Sequence, residues 1–238
     1  MKEDLKLEKL RVLGISTTAM NLQHPRPSTS ETLLEHGLEH AKKKYAAETN
    51  LIRVRELKIR HCEGYYSRGL KSCTWPCNIT QSDPGDEMKL IYDGVVDWAD
   101  VVIVATSLRW GNACSLYYEM VQRMNCIQNQ IPANGRYLIK DKVAAFIITG
   151  GQDGVQHVAG EMLMFWSELG FVFGKFPFVG WSRGWYAEDT QNNYNAMKTW
   201  EPRFQTATPT SDAESLVDNA IELATLLKTH KTVTPAPT

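Results

Sequence analysis

The sequence predicts an α/β fold: a five-stranded parallel sheet of strand order 2-1-3-4-5, covered by helices on both faces in a three-layer sandwich. Three observations carry this. Short apolar runs alternate along the chain with segments whose apolar residues recur at helical spacing, the pattern of repeated βαβ units. Two of those runs, residues 101–105 and 143–148, are apolar throughout, as strands buried on both faces are. The polar stretches rich in hydroxyl groups and glycine fall after strands and before helices, where a parallel sheet gathers its loops at one edge.

After a polar leader over residues 1–9, residues 10–15 (LRVLGI) read as the first strand, and Leu34, Leu38, Ala41 and Tyr45 mark the first helix. Between them Ser16, Thr17 and Thr18 end the strand, while Ser28, Thr29 and Ser30 open the helix with Glu31 close behind. Hydroxyls and unpaired backbone N–H groups at a helix N-terminus suit an anion. Neither GxGxxG nor GxxxxGK[ST] occurs here, so a single phosphate fits better than a dinucleotide or a nucleoside triphosphate. The alternative is that these hydroxyls only cap the helix.

Residues 51–57 alternate apolar and charged side chains, as a second strand on the edge side of the sheet would. Residues 58–84 lose periodicity and hold His61, Cys62, Cys73 and Cys77 among aromatic residues, glycine and proline. Thiolates there could ligate a metal or an iron–sulfur cluster, but the spacing matches no compact motif, and packed, reduced cysteines are the alternative. Asp83 and Pro84 carry the signal of an N-cap and first helical position, ahead of an apolar face of Met88, Ile91, Tyr92, Val95 and Ala99.

The central strand, residues 101–105, runs into Thr106, Ser107, Leu108, Arg109, Trp110, Gly111 and Asn112 before a helix marked by Leu116, Met120, Val121 and Met124. The fourth strand, residues 143–148, runs into Thr149, Gly150, Gly151, Gln152, Asp153 and Gly154 before a helix bearing Val158, Met162, Phe165, Trp166 and Leu169. Residues 171–179 supply a fifth strand, and residues 181–205 are a second irregular segment. Ser211 or Asp212 caps the last helix, and the Pro/Thr-rich tail over residues 229–238 is expected to fray.

One domain over residues 1–238 accommodates all of this, because 43% hydrophobic and 22% charged residues suit an ordinary globular core. A net charge of −1 with no basic window argues against nucleic acid. The apolar runs are too short to span a bilayer and the N-terminus is charged, so a cytoplasmic protein is expected. Five cysteines in a chain this long do not form a secreted disulfide framework.

With right-handed crossovers the loops after strands one, three and four meet at the switch point beside the first and third strands. A phosphate on the first loop, a planar ring against Leu108 to Asn112 and backbone amides from Thr149 to Gln152 along its polar edge describe a flavin mononucleotide site.

At these residues the chain resembles the NAD(P)H-dependent FMN reductases and related flavodoxin-like flavoproteins. Their ISGSPR-type loop and NSE- or NTE-like helix start correspond to Ile15–Met20 and to Thr29, Ser30 and Glu31. Their SPxYWGxxS motif corresponds to residues 107–115, and their TGG to Thr149, Gly150 and Gly151. Leu108 stands where that family has proline, and Met20 where it has an arginine facing the phosphate. The resemblance implies FMN as cofactor, NAD(P)H as co-substrate and a small electron acceptor such as a quinone, a nitro or azo compound, or free flavin. It implies that Ser16, Thr18, Ser28, Thr29 and Ser30 hold the phosphate. Ser107, Leu108, Arg109, Trp110, Gly111 and Asn112 would hold the ring together with Thr149, Gly150, Gly151 and Gln152. No catalytic acid–base pair is required, no metal is implied, and a homodimer or homotetramer is expected. Arg109 either stabilises the anionic reduced flavin or pairs with a surface carboxylate, and Trp110 either meets the ring or simply packs. A flavodoxin-like or iron–sulfur flavoprotein electron carrier that does not oxidise NAD(P)H directly is the other reading.

Overall fold

The computed structural model describes residues 9–20, 23, 27–151, 154–182 and 208–233. Five strands, β1 (Arg11–Ser16), β2 (Glu48–Arg53), β3 (Val101–Ser107), β4 (Val143–Gly150) and β5 (Phe178–Ser182), form one sheet of order β2-β1-β3-β4-β5. Every neighbouring pair is parallel, as expected from the sequence.

Side chains alternate between two cores, because successive strand residues point to opposite faces. On one face Val12, Ile103, Ala145 and Ile147 pack with α1 (Thr29–Tyr45), through Leu33, Leu34 and Leu38. The C-terminal helix α8 (Pro209–Val233) adds Ala213, Leu216 and Val217 to that face. On the other face Leu13, Val104 and Phe146 meet two stretches that precede β3 and β4. The first is α3 (Met88–Tyr92), continued by a π-helical stretch over Asp93–Trp98, and the second is α4 (Ser115–Arg123), α5 (Asn125–Gln128) and α6 (Gln130–Asn134). Helix α7 (Val155–Leu169) joins that face through Val158, Met162 and Trp166. Among the described residues no helix is long and apolar enough to cross a membrane.

Several boundaries differ from the sequence reading. β2 lies three residues earlier than residues 51–57, because its parallel register is set by β1, from Arg11 opposite Glu48 to Ser16 opposite Arg53. Val54–Glu56 is a 3-10 turn whose Val54 is buried, which prolongs the alternation past the strand end. Asp83 and Pro84 do not start a helix. Asp83 follows the short helix α2 (Asn78–Ser82), and its Oδ1 accepts the Gly85 N–H at 2.9 Å, closing a turn. Asp86 is drawn inward instead, accepting from Arg123 at 2.7 and 2.8 Å, from the Arg60 N–H at 3.0 Å and from Thr80 at 2.7 Å. The apolar face named from the sequence is nonetheless buried in full.

The fifth strand spans Phe178–Ser182, so Trp181 and Ser182 belong to it. Val172 makes only an isolated bridge to Val143, and Phe176 in the left-handed region (φ 48°) keeps residues 171–179 from running as one strand. Ser211 takes part in capping α8, but the cap is Thr208. The Thr208 Oγ1 accepts the Ser211 N–H at 3.1 Å, while the Ser211 Oγ accepts the Thr208 N–H at 2.8 Å, a reciprocal box with Pro209 at the first helical position. α8 continues to Val233, through the first residues of the expected frayed tail. The rest of that tail and residues 183–205 of the second irregular segment lie outside the described residues.

Candidate functional site

The C-terminal edge of the sheet is staggered. Ser16 at the end of β1 pairs with Ala105, whereas β3 and β4 run on to pair Ser107 with Thr149. The chain leaves β1 toward β2 on one side and lies against β3 on the other, so the crevice at a reversal of strand order falls between the loops after β1 and β3.

The first loop is tied to β3. Thr17 donates both its N–H and its hydroxyl to the Ala105 carbonyl, at 2.9 and 3.1 Å, and the Thr18 hydroxyl accepts the Met20 N–H at 3.3 Å. Ser16, Thr17 and Thr18 are all buried. Ser28 sits at the N-cap of α1 in extended conformation, yet its side chain makes no cap bond. Its hydroxyl instead meets that of Ser30 at 3.0 Å. Simple helix capping therefore does not account for these hydroxyls. The Thr29 Oγ1 is buried with no partner among the described residues. A 17-residue helix that begins without a side-chain cap and buries an orphaned hydroxyl in its first turn has donors left for an anion.

Ser16 is spoken for. Its hydroxyl donates to Glu31 Oε2 at 2.6 Å, and the same carboxylate accepts from Arg53 Nε at 2.8 Å and from both terminal nitrogens of Arg55, one of them at 3.0 Å. Burial by itself would push the Glu31 carboxyl up. The bonds from Arg55, Ser16 and Arg53 prevail and hold it down to about 2, so it stays ionised. Arg53 also reaches Glu35 at 2.6 Å. Sequence reasoning read Glu31 only as part of the helix start and missed both arginines. Their signal was position, since residues ending the strand next to β1 in a 2-1-3 order lie at this edge.

The loop after β3 is a tight turn. The Arg109 N–H donates to the Asn112 carbonyl at 2.7 Å and the Asn112 N–H returns to Arg109 at 2.9 Å, with Trp110 (φ 52°) and Gly111 (φ 73°) both left-handed at the tip. Two left-handed central residues are the pattern of a type I′ turn. Trp110 is 90% exposed, so it does not pack into the fold. The Arg109 side chain is exposed and forms no ion pair among the described residues. Leu108 faces inward, its N–H donating to the Thr149 carbonyl at 2.8 Å. The Ser107 Oγ is buried without a partner among the described residues.

The third and fourth loops touch. A Cβ on Gly150 would stand 2.7 Å from the Leu108 Cβ, and one on Gly154 would stand 3.0 Å from the Gly111 carbonyl oxygen. Thr149 and Gly150 thus lie directly against the turn over residues 108–112, with Gly151 next in the chain, while Gln152 falls outside the described residues. A cleft of about 420 Å³ opens at the same edge, one strand further along, between Gly154, Val155 and Gln156 and the β5 residues Phe178, Gly180 and Ser182. The donor set fits a flavin mononucleotide: uncapped N–H groups and a buried orphaned hydroxyl for the phosphate, and glycine-permitted backbone with a second orphaned hydroxyl for the ring.

Solved structures share this fold. RosB with its bound intermediate 8-demethyl-8-formylriboflavin-5′-phosphate superposes with a TM-score of 0.66 at 17% identity, over 96% of this chain and 89% of that one. A flavone reductase gives 0.59 at 18%, over 92% of this chain and 64% of that one. The apo form of an NADH:FMN oxidoreductase gives 0.53 at 15%, over 96% and 92%. These likenesses show a flavodoxin-like fold. A divalent metal cation transporter of Mycobacterium bovis is 24% identical over 107 residues, a stretch that covers 45% of this chain and only 16% of that protein. Residues 11–185, from the start of β1 to just past β5, match the NADPH-dependent FMN reductase family. The chain belongs to that family of flavin-dependent oxidoreductases.

Proposed function

We propose that the protein is an FMN-dependent NAD(P)H oxidoreductase that passes reducing equivalents to a small acceptor such as a quinone, a nitro or azo compound, or free flavin. The observation that carries this reading is the α1 N-terminus, uncapped by Ser28 and lined by the orphaned Thr29 hydroxyl, at the crevice between the loops after β1 and β3. The first-turn N–H groups with Thr29 and Thr18 hold the phosphate. Ser16 acts one step removed, by fixing Glu31 and its two arginines against the loop. The backbone of residues 108–112 and 149–151 orients the ring, and the Ser107 hydroxyl offers it a hydrogen bond. FMN, when bound, supplies the hydride chemistry, and the protein's part is to bind, orient and tune it. Trp110 at the exposed turn tip and the Arg109 guanidinium, which forms no ion pair among the described residues, stand where a nicotinamide or an acceptor approaches. A homodimer or homotetramer is part of the same proposal.

The test is the visible spectrum of the protein loaded with FMN under anaerobic conditions, before and after addition of NADPH or NADH. Bleaching of the flavin bands by either nucleotide supports the oxidoreductase. Bands that ignore both support an electron carrier, and failure to take up FMN overturns the site.

A further inference from the structure

Four cysteines that the proposed function does not use lie near one another where the irregular segment after β2 meets α5. Cys73, Cys77 and Cys126 are buried, Cys62 is half-buried, and none of them is in a disulfide. The Asn125 amide donates to the Cys73 sulfur at 3.6 Å, and Arg123 Nη2 donates to the Cys77 sulfur at 3.6 Å. The Cys126 thiol donates to the Arg123 carbonyl at 3.4 Å and lies within hydrogen-bonding reach of Cys77. Sequence spacing hides this, because Cys126 comes from α5, after β3, far along the chain from the cysteines that follow β2. Among the described residues no set of three or more His, Cys, Asp and Glu side chains is arranged to hold a metal ion.

The donors around Cys77 set it apart from a packed thiol. The Arg123 guanidinium donates to its sulfur, and the Cys126 sulfur and the backbone of Ile79 and Thr80 lie close to it. A neutral thiol sulfur is a weak acceptor, whereas a thiolate suits a buried guanidinium donor. Arg123 cannot swing away. Its guanidinium is also held by Asp86, by the Arg60 carbonyl at 2.7 Å and by Thr80 at 2.9 Å, and its side chain is fully buried.

We propose that Cys77 and Cys126 are a dithiol–disulfide pair oxidised by a hydroperoxide, forming a covalent clip between the irregular segment after β2 and α5. Cys77 is the attacking sulfur and Cys126, the more deeply buried, resolves. The Cys77 thiolate forms an S–O bond as the peroxide O–O bond breaks, and the departing hydroxide takes up a proton to become water. The Cys126 sulfur then forms the S–S bond while the Cys77 S–O bond breaks, and the Cys126 proton leaves with that hydroxide as a second water. Two thiols lose two electrons and one peroxide gains them. The ionisable groups facing Cys77 are Cys73, Cys126, Tyr92 and Arg123, with Asp86 beyond the guanidinium. The Cys126 bond acts first, then burial pushes the Cys77 thiol up, and the Arg123 charge brings the balance down to about 5.

The experiment is a thiol count and peptide map of the full-length, FMN-free protein, reduced, desalted and treated with hydrogen peroxide. The expected result is a fall in titratable thiols from five to three, a cross-linked peptide joining Cys77 to Cys126, and full reversal by dithiothreitol. In Cys126→Ser, dimedone should label Cys77 and no cross-link should form. The rate of peroxide reaction should hold down to about pH 5, where a free cysteine, with its thiol near 8.5, would have lost more than a hundredfold of its thiolate. A cross-link from Cys77 to Cys73 or Cys62 overturns the pairing, and five thiols surviving peroxide overturns the proposal. The wild-type map decides the question without any variant, so a Cys126→Ser chain that failed to fold would not obscure it.

Discussion

Arg123 and Asp86 form an ion pair in which both side chains are wholly buried, at 2.7 Å, fastening the segment after β2 to α4. Asp86 sits beside a turn whose residues signal a helix start, and the pair explains why the chain does otherwise. Desolvation raises the Asp86 carboxyl, yet Arg123, the Arg60 N–H and Thr80 leave it below its ordinary value. Removing one partner strands a charge in the core. Arg123→Leu or Asp86→Leu alone should each cost about 3–5 kcal/mol, while the double substitution should recover much of that loss. Urea unfolding of the four proteins of the cycle at pH 7 measures it. Equal costs for the double and the sum of the singles would show that the pair is not coupled.

The Glu31 carboxylate gives an acid dependence with a definite sign. Its folded value, about 2, lies below the ordinary 4.5, so its contribution to stability is present above pH 4.5 and drains away as the pH falls toward 2. Glu31→Gln keeps the shape and removes the charge that Arg53 and Arg55 share. The variant should be about 1–3 kcal/mol less stable at pH 7, and the gap to the wild type should narrow below pH 4. Denaturant midpoints at pH 7, 4 and 3 test this, and a gap that widens with acid would contradict it.

The sheet was legible because its determinants are local. Residues 101–105 and 143–148 are apolar on both faces, and only a central parallel strand buries such a run. Right-handed crossovers then fix which loops share an edge, so Thr29, Ser107 and Gly150 could be placed together before any coordinates. What sequence could not supply is register and distant pairing. β2 slid by three residues because β1 dictates where it ends, and the buried Val54 imitates a strand position from within a turn. Asp86 and Arg123 are 37 residues apart, and Cys77 and Cys126 are 49 apart, so no window reveals either partnership. Arg53 and Arg55 look like a strand's wet face until the sheet order puts them beside Glu31.

Gly150 is needed for closeness rather than for a special backbone angle. A Cβ there would press to 2.7 Å on the Leu108 Cβ and 3.2 Å on its nitrogen, which already bonds the Thr149 carbonyl. Gly150→Ala should push the turn over residues 108–112 outward, with an overpacking cost of about 1–3 kcal/mol. With that turn placed against the ring and not the phosphate, as proposed above, the variant should alter the shape of the bound-flavin absorption bands and weaken FMN and riboflavin by similar factors. Difference spectroscopy with both ligands makes the comparison. A loss confined to FMN would place Gly150 with the phosphate loop instead.

Thr29→Val separates a phosphate ligand from a structural hydroxyl. The side chains have nearly the same shape, and the Thr29 Oγ1 is buried without a partner among the described residues, so the FMN-free protein gives up no hydrogen bond when the hydroxyl goes. Removing an orphaned buried polar atom should leave that form as stable as before or about 1 kcal/mol more stable. FMN affinity should move the other way. One lost hydrogen bond to a charged phosphate is worth about 1.5–3 kcal/mol, roughly a 10- to 150-fold weaker dissociation constant, while riboflavin, which has no phosphate, should bind unchanged. Fluorescence titration of both flavins, with a thermal melt of the FMN-free protein, reads all three quantities. Equal losses for the two ligands would move Thr29 away from the phosphate, and a destabilised FMN-free protein would mean that the hydroxyl has a structural partner after all.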